Sequence, residues 1–138
     1  MKKIMLLILL ITSQILMCSA QNKYEKGMSE ALQLWGNNKP DEAVALFQRI
    51  ASNEKENWLP NYYIGLISAT QVFSGKEKEQ AFALLEQAQK CLDKAKKISS
   101  HNSELFCLQA LINTAWVTLD QMNNGQKLSA SIIKDYRT

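Results

Sequence analysis

Residues 31–47 read ALQLWGNNKPDEAVALF, two apolar clusters on either side of a polar break. Ala31, Leu32 and Trp35 precede it, and Ala43, Leu46 and Phe47 follow it. The break, Gly36-Asn37-Asn38-Lys39, ends at Pro40. Proline lacks the N–H that a helix interior needs but fits its first turn. Asp41 and Glu42 then place acids where a helix N-terminus carries partial positive charge. The stretch predicts one helix that stops, a tight turn, and a second helix running back beside the first.

The helical period extends outward from this hairpin. Met28, Leu32 and Trp35 are spaced by four and three, while Ala43, Leu46, Phe47 and Ile50 fall at i, i+3, i+4 and i+7. Leu84, Leu85, Ala88, Cys91, Leu92, Ala95 and Ile98 hold one apolar stripe, as do Leu105, Leu108, Ile112, Ala115 and Leu119. Such stripes mark helices that bury one face. The nearest candidate for a strand, Tyr62-Tyr63-Ile64-Gly65-Leu66-Ile67, continues through Ser68–Phe73, and that length favours a buried helix. Pro60 opens it, and Asn102-Ser103-Glu104 supplies a cap and a first-turn acid for a later helix. Six helices are expected, near 22–36, 40–52, 60–73, 77–99, 103–121 and 126–137. Short connections make consecutive helices antiparallel neighbours, so the expected class is all-α.

Residues 1–20 are expected to lie outside the fold. Lys2 and Lys3 precede an apolar run, Ile4–Met17, and Cys18-Ser19-Ala20 offers small residues before a cleavage point. This is the pattern of a secretory signal peptide. The unbroken apolar core is short for a membrane span, which needs ~20 residues. Cys18 raises a lipoprotein alternative, but Met17 stands where a small residue should be. Cleavage after Ala20 is preferred, leaving an exported domain of residues 21–138, periplasmic or secreted, with no membrane span.

Loss of the leader changes the charge. The chain has 16 Lys and Arg against 13 Asp and Glu; without Lys2 and Lys3 that is 14 against 13, a net +1. No basic footprint remains to suggest nucleic acid. Lys90, Lys94, Lys96 and Lys97 cluster, but Glu86 and Asp93 lie among them, which reads as a solvated helix face. Export permits a disulfide between Cys91 and Cys107. Their positions on antiparallel helices are offset by roughly 6 Å along the axes, before the sideways spacing is added, and a bridge tolerates a Cα separation of only ~7 Å. Two buried free thiols are expected instead.

Catalytic groups are sparse. His101 is the only histidine and falls in an expected turn. Cys91, His101 and Cys107 lack the close paired spacing of a structural zinc site. The acids Asp41/Glu42 and Glu77/Glu79 sit at expected helix starts. The five glycines, at 27, 36, 65, 75 and 125, form no phosphate loop. No enzyme, metal or cofactor is expected.

The spacing around the opening stretch also repeats. Ala31 and Ala43 are twelve apart, with Phe47 four later and Ile50 three after that. Ile64-Gly65, then Ala88, Leu92 and Ala95, keep the same steps with about eleven residues inserted around Phe73–Phe82. Phe106 and Ala110 begin a third unit that Leu128, Ala130, Ile133 and Tyr136 complete loosely. Over residues 24–137 this resembles the tetratricopeptide repeat, in a small exported Gram-negative form. The resemblance implies a short right-handed solenoid of stacked hairpins whose first helices line a concave face. It implies a non-enzymatic protein-interaction module, an adaptor or scaffold binding a polypeptide in that groove. Carried over by position, the lining would include Met28, Leu32, Trp35, Tyr62, Tyr63, Leu66 and Ala69, with Glu104, Leu111 and Thr114. Trp58 and Trp116 read as packing residues. The last helix carries Leu128, Ile132, Ile133 and Tyr136 with nothing after it to cover them, so a self-associating structural protein is the alternative.

Overall fold

The computed structural model describes residues 22–119 and 131–137. The expected leader, with Lys2, Lys3, Cys18 and Ala20, lies outside those residues, as does Leu128. Every regular element among the described residues is α-helical. In chain order these are α1 (22–36), α2 (Pro40–Asn53), α3 (Leu59–Val72), α4 (Lys78–Ile98), α5 (Ser103–Leu119) and α6 (131–136). Among the described residues no helix is long and apolar enough to cross a membrane.

The opening stretch is a helical hairpin. Asn38 adopts φ 58°, a left-handed conformation that asparagine tolerates better than most side chains. Its N–H donates to the Trp35 carbonyl and the Lys39 N–H to the Leu34 carbonyl, both at 3.0 Å. This pair of bonds is a Schellman stop, with asparagine in the place glycine usually takes. Pro40 then begins α2 at once, followed by Asp41 and Glu42 in its first turn. At the later turns, the Asn57 side chain accepts the Leu59 N–H and Asn102 accepts the Glu104 N–H, each at 3.0 Å. Gly75, at φ 75°, supplies the left-handed residue between α3 and α4.

α3 is the axis of the molecule. It packs against α2, α4 and α5, and α4 packs against α5. One core gathers Met28 and Ala31 of α1, Ala43, Phe47 and Ile50 of α2, Ile64 and Ile67 of α3, and Cys91 of α4. The other joins Ala69 and Val72 to Leu85, Ala88 and Leu92 of α4 and to Leu105, Leu108 and Ile112 of α5. Because α3 has neighbours on several sides, it is apolar nearly all round, whereas α2 and α4 each bury one stripe.

Gly65 marks the closest approach. A Cβ there would meet Leu108 Cδ2 at 3.1 Å and the Ala88 carbonyl at 3.3 Å. The small residue is what lets α3 sit against α4 and α5 at this point.

α6 is held by polar contacts. The buried Asn113 side chain of α5 donates to Ser131 Oγ at 2.9 Å and to Asp135 Oδ2 at 3.2 Å. Asn113 in turn accepts from Gln109, which exchanges bonds with Gln89 and receives one from Lys96 Nζ at 2.8 Å. α6 is therefore tied to α5 at the end of a chain of amides, and it leaves Ile133 54% and Tyr136 60% exposed. Ile132 is half-buried.

Candidate functional site

The surface of α3 that meets solvent is one narrow stripe. Leu59, Tyr62, Tyr63, Leu66 and Thr70 are half-buried and Phe73 is 48% exposed, while the residues between them are buried. Leu59, Tyr62, Leu66, Thr70 and Phe73 are spaced by three, four, four and three, with Tyr63 beside Tyr62, so they lie along one face. The stripe carries no charge.

Its upper half is an aromatic ladder rooted in the core. The fully buried Phe47 ring stacks on Tyr63 at 5.1 Å between centroids, 12° from parallel. Tyr63 meets Tyr62 edge-on at 5.3 Å, and Tyr62 meets Trp58 edge-on at 5.7 Å. These are the offset and edge geometries that aromatic quadrupoles favour. The Tyr62 hydroxyl donates to Glu104 Oε2 of α5 at 3.3 Å. Burial, then the Glu104 charge and this hydrogen bond, push the Tyr62 pKa up to about 12. The phenol stays protonated and remains a donor throughout the physiological range.

Among the expected lining residues, Tyr62, Tyr63, Leu66, Glu104, Leu111 and Thr114 retain surface. Leu32 of α1 is 36% exposed. Trp35 is half-buried against the α1–α2–α3 core and stands outside the ladder. Two expectations are corrected. Met28 and Ala69 are core residues and offer no groove surface, because each lies on the stripe its helix turns toward its neighbours. Phe73 was legible from the α3 period but is not part of the repeat pattern, which ends earlier on that helix. Trp58 and Trp116 both pack against the α3–α4–α5 core, and Trp58 also belongs to the ladder.

The thiols divide. Both are free; Cys91 is buried, and its pKa is raised by that burial against the opposing pull of Lys94 and Lys90. Cys107, expected to be buried, is exposed. It lies one position before Leu108 and so misses the buried stripe of α5, standing near Tyr62 instead. His101 Nδ1 lies 2.9 Å from the Ser100 hydroxyl in the turn before α5. Among the described residues no three His, Cys, Asp or Glu side chains come together as a metal cage.

No protein-family model matches this chain, and neither a curated protein nor a solved structure matches it.

Proposed function

We propose that the chain is a non-enzymatic binding module that takes a polypeptide segment on the face formed by α1, α3 and α5, within a short solenoid of the tetratricopeptide type. The observation that carries this reading is the uncharged stripe from Leu59 to Phe73, with its aromatic ladder anchored on Phe47. Aromatic side chains offer large, rigid contact area with a polar end, and they dominate interface hot spots. Packing of α3 on α5, its neighbour once removed, supports the solenoid, since stacked hairpins bring alternate helices together. With the leader removed in export, the module would work in the cell envelope or outside the cell.

A photoreactive residue at Leu66 in the full chain tests the reading directly. Crosslinks to a defined polypeptide that vanish in Trp35→Ala/Tyr62→Ala, with helicity by circular dichroism unchanged, support it. Crosslinks that persist in the folded double variant refute it.

The exposure of Ile133 and Tyr136 on α6 favours a second reading, self-association through the C-terminal helix. Ile132→Lys/Ile133→Lys should then convert an oligomer to a monomer in analytical ultracentrifugation. A wild-type chain that is monomeric at high concentration removes this reading.

A further inference from the structure

α2 and α4 leave between them a groove of about 900 Å³ with α3 at its floor. Four lysines reach it, Lys55 from the turn after α2 and Lys90, Lys94 and Lys97 from α4, against one acid in its lining, Glu86. None of the four is paired with a carboxylate among the described residues. Asp93, which breaks up the lysine run in the sequence, is not in this lining; it borders a neighbouring hollow that Lys90, Lys94 and Lys97 also reach, and it accepts a 2.9 Å hydrogen bond from Gln89. The fold therefore gathers four lysines without carboxylate partners around one groove.

Asn61 of α3 also lines this groove. It is only 8% exposed, and its carboxamide has no hydrogen-bond partner among the described residues. The little surface that Asn61 keeps opens on the groove, so water satisfies the amide in the free protein and a ligand that displaces this water must offer matching groups. The amide presents one acceptor and two donors, the complement of a peptide unit's N–H and C=O.

We propose that the α2–α4 groove binds an extended acidic polypeptide segment, with its carboxylates on the lysines and its backbone held by the Asn61 carboxamide. Lys90, Lys94 and Lys97 rise along α4 in steps of roughly 6 and 4.5 Å. Carboxylates on alternate residues of an extended chain recur at ~6.7 Å, a mismatch that flexible lysine stems absorb. The groove's own lining has no aromatic ring and no arginine, and Trp116 in the neighbouring hollow is engaged with Phe82 and the core, which disfavours stacking of a nucleic-acid base. Among the described residues the large exposed apolar side chains, Leu32, Phe73, Ile133 and Tyr136, all lie outside it, and Ile98 is the one large aliphatic side chain in its lining, a small anchor for a lipid surface. This site is separate from the α3 stripe and does not depend on it.

The test uses the full-length chain, expressed with its own N-terminal segment and purified as the cell processes it. A fluorescent peptide of about eight residues, alternating Glu and Ser, is titrated by anisotropy beside its Gln-for-Glu counterpart. Binding of the Glu peptide alone, weakening as salt rises, is the expected result. Lys90→Gln/Lys94→Gln should abolish it, and Asn61→Asp should weaken it by about tenfold or more with circular dichroism unchanged. Tyr62→Ala/Leu66→Ala should leave it unaltered, which separates this site from the proposed concave face. Absence of binding overturns the proposal. So does equal binding of heparin, a DNA oligonucleotide or anionic phospholipid vesicles, or affinity that a folded Asn61→Asp variant retains in full. If Asn61→Asp fails to fold, Asn61→Ser, which shortens the amide without adding charge, replaces it under the same criteria.

Discussion

Phe47 of α2 lies flat against Tyr63 of α3, with ring centroids 5.1 Å apart and planes 12° from parallel. One ring is fully buried and the other meets solvent, so the pair ties the position of the surface ladder to the packing of the first hairpin. Phe47→Ala should destabilise the protein by about 3–5 kcal/mol through lost burial and an unfilled cavity. Phe47→Leu should cost less, about 1–2 kcal/mol, and still loosen Tyr63. Chemical denaturation gives the first quantity, and near-ultraviolet circular dichroism of the aromatic cluster reads the second.

Gly65→Val should destabilise by about 1–3 kcal/mol. Its Cβ would already crowd the Ala88 carbonyl at 3.3 Å, and the added methyl groups have nowhere to go. Leu108 Cδ2, at 3.1 Å, is a side-chain end that can move, but the carbonyl belongs to α4 itself. Relief by Leu108→Ala that recovers only part of the loss, seen in a double-mutant cycle, would identify the backbone contact as the harder constraint.

Ser68 is fully buried, and its hydroxyl has no hydrogen-bond partner among the described residues. Ser68→Ala removes an unsatisfied polar group and improves helix propensity with little change in volume. The denaturation midpoint should rise, by an amount corresponding to about 1 kcal/mol.

Tyr62 should ionise last among the tyrosines whose shifts are resolved, near its raised value of about 12. Because the folded value lies above the ordinary value of 10.0, the folded state holds the proton more tightly than the unfolded chain. Its contribution to stability is fully present below pH 10 and is lost as pH rises toward 12. Ultraviolet titration of tyrosinate should lose its latest step in Tyr62→Phe. Glu104→Gln should lower that step only partly, since burial is the larger cause.

Asn113→Ala should release α6 without unfolding the rest. Two hydrogen bonds, to Ser131 and Asp135, disappear together. Hydrogen exchange within 131–136 should accelerate by about tenfold or more. Protection in α3 and α4, which pack through apolar side chains, should change little.

The sequence by itself determined the helices. Apolar residues at steps of three and four, Pro40 and Pro60 at helix starts, and Asn38 and Asn102 at turns are local signals. Local signals suffice because helix hydrogen bonds and caps join residues only a few positions apart. The boundaries of α1 to α4 fall within a residue of those the pattern predicts. Tertiary structure alone decided which sides of those helices meet solvent. Met28 and Phe73 both sit on apolar stripes, yet one is buried under α2 and α3 while the other ends an open face, because burial depends on which neighbour covers each turn. The lysine run of α4 read as a solvated face until α2 was placed alongside it. Only then do Lys55, far away in sequence, and Asn61, hidden on α3, join Lys90, Lys94 and Lys97 around one groove. Periodicity describes a helix one face at a time, whereas a site is made where several helices meet.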